Sequence, residues 1–124
     1  MENKKLKAAY WVTTGLFSLL MAFSAYNYFT NPDVAAGFLH LGFPSYFRVE
    51  LGIMKLIGVA VLLIPQVPVK FKEWAYAGFL ITLASAAVSH SASGDAVSMV
   101  IMPIVFMLVL LASNYLLGKT VAQG

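Results

Sequence analysis

Apolar residues fall along this chain in four long blocks, separated by short clusters of proline, glycine and polar residues. A helix needs roughly 20 apolar residues to cross the hydrocarbon of a bilayer. Four windows come close to or reach that length: 8–29, 46–64, 73–92 and 97–117. The punctuation falls between them. Thr30-Asn31-Pro32 follows the first window, and Pro44-Ser45 precedes the second, with Ser45 the expected helix cap. Pro65 closes the second by removing a backbone donor, and Ser93-Gly94-Asp95 divides the third from the fourth. The pattern predicts an all-α protein, a four-transmembrane-helix bundle forming a single membrane domain over residues 1–124.

The segment between the first two windows has a pattern of its own. Asn31 can cap a helix, Pro32 suits its first position, Asp33 complements its dipole and Gly42 can end it. Val34, Phe38 and Leu41 then share one face at i, i+4 and i+7. A short amphipathic helix is expected here, lying on the outer surface as a connector or as a lid.

Composition makes these helices membrane spans. The 124 residues are 60% hydrophobic and 10% charged, with a mean hydropathy of +0.83. A soluble domain of this size keeps too much surface in water to hide that content, so the expected solvent is lipid. Eight basic residues and a net charge of +3 form no stripe, which argues against nucleic acid. The absence of cysteine excludes disulfides, thiolate metal sites, iron–sulfur ligation and thiol catalysis in this chain. "MENKKLK" has the charge of a signal-peptide leader, but the apolar run after it is too long for one, so an uncleaved first span is expected.

Charge also orients the spans. Lys4, Lys5 and Lys7 precede the first, Lys70 and Lys72 lie between the second and third, and Lys119 follows the fourth. The other two connections hold neither lysine nor arginine, and Arg48 lies near the outer end of the second window. The positive-inside bias therefore places both termini and the middle loop in the cytoplasm. Boundary aromatics agree: Tyr10, Trp11, Trp74, Tyr76 and Tyr115 mark the inner side, and Tyr26, Tyr28 and Tyr46 the outer.

Besides Arg48 near its outer end, two charges interrupt the second window. Lys55 is its tenth residue of 19, near the midplane, where a lysine costs about 2.5–3.5 kcal/mol on insertion scales. Glu50, five residues earlier, lies about 140° around the helix and so faces other neighbours. Gly52 and Gly58 flank Lys55 on its own stripe and permit close approach of another helix. Lys55 is expected to point inward toward Ser18, Thr82 or Ser85, with a carboxylate, a bound anion, water or loss of its proton completing the charge balance. A ligand or water-filled pocket is expected between it and Glu50. The alternative is snorkelling to the interface. Glu50, His90 and Asn27 share a level about one turn inside the outer boundary. They are expected to form one network, as interhelical glue or as a ligand or proton site. The candidate ligand-binding residues are thus Glu50, Lys55, His90, Asn27 and Ser85. The small residues of 84–94 are expected to pack closely. Haem ligation by His40 and His90, or metal binding by His90, Glu50 and Asp95, has no spacing motif behind it, and no metal site is expected. Met99, Met102 and Met107 read as packing.

At "GFPSYFRVELGIMKLIGVAVLLIP" and "KEWAYAGF…SHSASGD" the chain resembles the DoxX-like membrane proteins, over about residues 10–115. Glu50, Lys55, Trp74, Tyr76, Ser89 and His90 match that pattern by position. The resemblance implies a multi-pass protein of the bacterial inner (cytoplasmic) membrane, which makes the outer helix periplasmic. Relatives include a subunit of a thiosulfate:quinone oxidoreductase and, more distantly, an assembly chaperone for acetylcholine receptors. It thus implies binding of a small hydrophobic ligand such as a quinone, or service as the membrane subunit of a redox complex. The alternative is a non-catalytic assembly factor that holds a partner protein. Without cysteine, a thiol relay is not expected. Transport is disfavoured, since one chain of four spans gives little room for alternating access. Catalysis, the partner protein and a homo-oligomeric state are left open.

Overall fold

The computed structural model describes the backbone of residues 2–123 and the side chains of residues 3–121. Five helices follow one another: α1 (Glu2–Thr30), α2 (Pro32–His40), α3 (Ser45–Leu63), α4 (Val69–Ala92) and α5 (Val97–Gln123). The long helices overrun the apolar windows because their polar flanks also coil. Among the described residues, α1, α4 and α5 are long and apolar enough to cross a membrane. The second window does not meet that standard. Its 19 residues carry Arg48, Glu50 and Lys55, and each charge has a partner or an exposure to explain.

The four long helices pack in a closed circuit, α1 on α3, α3 on α4, α4 on α5 and α5 on α1. Each turns inward a stripe with three- and four-residue spacing, which brings successive side chains onto one face. The buried positions are 10, 14, 17, 18, 21 and 25 in α1, 52, 55, 58, 59 and 62 in α3, 72, 76, 79 and 83 in α4, and 103, 110, 113 and 117 in α5. Across the middle, Phe17 of α1 meets Phe79 of α4 edge to face at 5.0 Å. Outward-facing residues stay apolar, with Leu19, Ile81 and Leu108 all more than 60% exposed. A surface of that kind is matched to lipid.

The connections explain the boundaries. Asn31 caps α2 as expected, its Oδ1 accepting from the Asp33 amide at 2.9 Å. Gly42, at φ +91°, ends α2 in a Schellman turn: Phe43 N–H bonds the Phe38 carbonyl at 2.9 Å and Gly42 N–H that of Leu39 at 3.0 Å. Tyr28, Phe38, Phe43 and Phe47 form a continuous aromatic row that fastens α2 to α1 and α3. Gly94, at φ +72°, ends α4 in the same turn through Gly94 N–H to Ser91 and Asp95 N–H to His90. Ser45 does not cap α3. Pro44 takes the cap position there and makes no side-chain bond.

Two basic side chains satisfy helix ends instead. Arg48 Nη1 donates to the Tyr28 carbonyl near the end of α1. Lys72, expected in a loop, is only 4% exposed. Its ammonium donates to the carbonyls of Val61, Leu62 and Ile64, each at 3.0 Å. These are carbonyls that the end of α3 leaves without intrahelical donors, and Lys has three donors to give. Tyr10 and Tyr76 pack inside the bundle, 4% and 5% exposed, whereas Trp74 and Tyr115 face outward.

Candidate functional site

The site is built around Lys55. Its side chain is 6% exposed and lies in the inward stripe of α3 between Gly52 and Gly58. Nζ donates to Ser24 Oγ and to Tyr28 Oη, both at 2.8 Å, and sits 4.2 Å from the centre of the Tyr28 ring. The inward direction was legible from the glycine stripe. The partners were not Ser18, Thr82 or Ser85. A helical side chain leans toward its own N-terminus, so Lys55 meets antiparallel α1 nearer that helix's C-terminus than its Cα depth indicates. Ser24 and Tyr28, one turn apart on α1, wait there. Ser18 is buried without a hydrogen bond, Thr82 bonds the Gly78 carbonyl at 2.8 Å, and Ser85 is exposed.

The two glycines admit aromatic rings rather than a neighbouring backbone. A Cβ on Gly52 would lie 2.8 Å from Phe29 Cζ, and one on Gly58 would lie 2.7 Å from Phe79 Cε2 and Cζ. Beyond Gly58, α3 and α4 part into a cleft of about 290 Å³. Leu51, Met54, Ile57 and Val61 line one wall, and Phe71, Trp74, Ala75, Gly78 and Phe79 the other. Lys55 and Thr82 are its polar residues. The cleft is open at the side, because Met54, Ile57 and Trp74 are each about 60% exposed.

The expected Glu50–His90–Asn27 network does not form. Glu50 is exposed. Asn27 donates to the Phe23 carbonyl at 2.9 Å and accepts from Asn31 at 3.2 Å. His90 Nδ1 lies 2.7 Å from Asp95 Oδ2, while His40 Nε2 lies 2.8 Å from Asp95 Oδ1. The Schellman turn is the cause, since it folds Asp95 back over His90 before any other element can reach it. Asp95 thereby clasps α2 to the α4–α5 turn. Hydrogen bonds from His90 and then His40 hold its carboxyl below the usual carboxylate range. Both carboxylate oxygens point at ring nitrogens, and no group of three or more His, Asp or Glu side chains among the described residues is arranged to hold a metal. The small residues of 84–94 are not tightly packed either: the buried residues of α4 stop at Leu83.

A second polar cluster escaped sequence reading. Thr14 Oγ1 and Tyr76 Oη each lie 2.6 Å from Ser113 Oγ, all three side chains buried. Ser113, set deep in the apolar run of α5, was the available signal. Hydroxyls bonded across helices in this way hold spans together.

An all-helical membrane protein with a buried lysine beside a lateral cleft is therefore the class that fold and site define. The chain belongs to the DoxX-like family, whose model matches residues 12–113. No curated protein and no solved structure matches it significantly.

Proposed function

We propose that the protein is a four-span bundle of the bacterial inner membrane that binds a small hydrophobic ligand in the α3–α4 cleft. Lys55 donates to the polar end of that ligand. The observation that carries this reading is a lysine 6% exposed in a membrane helix, bonded only to hydroxyls and lining an apolar cleft. Ligand sites are commonly concave and apolar with a few convergent polar groups, and intramembrane lysines commonly mark such sites. A quinone, which family resemblance suggests, has the apolar ring and carbonyl acceptors that this cleft would take. Glu50, His90, Asn27 and Ser85 lie outside the cleft lining. In this proposal His90 and Asn27 serve to hold helix ends in place, and the ligand contacts fall to Lys55 and Thr82.

In the same reading α3 crosses the membrane because its charges are masked: Arg48 on the Tyr28 carbonyl, Lys55 inside, and Glu50 one turn from the boundary. Both termini and residues 65–68 face the cytoplasm, and α2 with Asp95 faces the periplasm. Single cysteines introduced into a chain that has none test this. In intact spheroplasts an impermeant thiol reagent should label Asp33→Cys and spare Gln66→Cys. The reverse pattern contradicts the orientation.

Lys55→Leu tests the ligand reading. Protein extracted gently from its own membrane should carry an apolar small molecule at up to one per chain, and the variant should lose at least tenfold of it while inserting and folding normally. Equal content in both removes Lys55 from any binding role. A stoichiometric partner protein with an empty cleft would favour the assembly-factor alternative.

A further inference from the structure

We infer that the ligand at Lys55 is a single-chain amphiphile with an anionic head, a long-chain carboxylate in chemistry, drawn sideways from the bilayer. This rests on the cleft being a ligand site, and it narrows what the site selects. Hydroxyl oxygens satisfy an ammonium's donors but leave its charge in place. Among the described residues the ion pairs are His40–Asp95 and His90–Asp95, so no carboxylate faces Lys55. Glu50, the nearest acid along α3, is exposed on another side of the helix. Two of the three Nζ donors go to Ser24 and Tyr28. The third has no hydrogen-bond partner among the described residues, and the charge, faced by the Tyr28 ring but by no carboxylate, is left for an occupant of the cleft that Lys55 lines.

The shape of the cleft specifies the rest. Along α3 it runs from Leu51 to Val61, about 15 Å by helical rise, and along α4 from Phe71 to Thr82. Its polar residues, Lys55 and Thr82, lie toward the Leu51 end, and the remaining stretch to Phe71 and Trp74 is apolar. A groove about 15 Å long with its charged residue toward one end accepts a chain laid along it. A volume of about 290 Å³ has room for one chain and not for a two-chain phospholipid. Entry from the side needs no movement of the helices, because the Met54, Ile57 and Trp74 edge is already exposed.

Trp74 provides the readout, since the chain has two tryptophans and Trp11→Phe leaves it alone. Brominated dodecanoate and brominated dodecanol, matched in length, are titrated into detergent-solubilised protein and the quenching of Trp74 is followed. The carboxylate should quench at a concentration at least tenfold lower than the alcohol. Lys55→Met should abolish that preference and leave the two equal. Gly78→Leu, whose side chain enters open space in the cleft, should reduce quenching by both to the level of detergent partitioning. Equal quenching by acid and alcohol in the Trp11→Phe protein, suppressed by Gly78→Leu, overturns the anionic preference while the cleft remains a ligand site. Displacement of the carboxylate by an equimolar neutral quinone overturns it in the same way. Quenching that Gly78→Leu does not change overturns both readings.

Discussion

Lys72→Met should be among the most destabilising single substitutions in this chain, lowering stability by about 3 kcal/mol. The methionine fills the same space but offers no donor to the carbonyls of Val61, Leu62 and Ile64. A buried acceptor left unmade costs about 1–3 kcal/mol. The Leu62 carbonyl meets that loss in full, those of Val61 and Ile64 are part-buried, and that of Ile64 also accepts from the Val67 N–H at 3.3 Å. The favourable placement of a cation at the C-terminus of α3 is lost as well. Lys72→Arg should recover part of the stability, because the charge returns but the planar fork aims its donors differently. Thermal unfolding in detergent checks the series, with a midpoint lowered by roughly 10 °C for the methionine variant. A methionine variant within 1 °C of the parent would show that the three bonds contribute nothing net.

The glycines beside Lys55 give the second large effect, and it should be unequal. Gly58→Ala places a methyl 2.7 Å from the Phe79 ring. Phe79 is 5% exposed and packed edge-on against Phe17, so displacing its ring disturbs that packing. Overpacking of that kind costs about 1–3 kcal/mol. Gly52→Ala makes a contact almost as short with Phe29, yet Phe29 is 42% exposed and its ring can swing outward. A loss well under that of Gly58→Ala is expected. Adding Phe79→Leu to Gly58→Ala should restore part of the stability, and would do so only if the ring is the obstacle. Equal losses at the two glycines would contradict this account of their packing.

These cases show what a one-dimensional reading reaches. The helices were legible because apolar block length and proline punctuation are local signals, and α2 was legible down to its Asn31 cap and Gly42 exit. The inward face of α3 was legible from Gly52, Lys55 and Gly58 on one stripe. Pairings between helices were not. Lys55 reaches Ser24 and Tyr28 because side chains lean along the helix, a shift that comparison of Cα depths omits. His90 was given to Glu50 on depth alone, while a turn only five residues long delivered Asp95 to it first. Lys72 was counted as a loop charge because nothing in its neighbours shows that a preceding helix ends within reach of its ammonium. Thr14, Tyr76 and Ser113 each look ordinary alone, and only the packing of α1, α4 and α5 makes them a cluster.

Gly78→Leu tests the central claim most directly. Gly78 lines the cleft, and a Cβ there meets nothing within 4 Å. Leucine is also the better helix former, so the variant should fold at least as well as the parent. Native mass spectrometry of both proteins, released from their own membrane under the same gentle conditions, reads occupancy of the cleft. The account predicts a small apolar molecule retained by the parent and lost from a Gly78→Leu protein of unchanged thermal midpoint. The same bound mass on both proteins, or none on either, would contradict it.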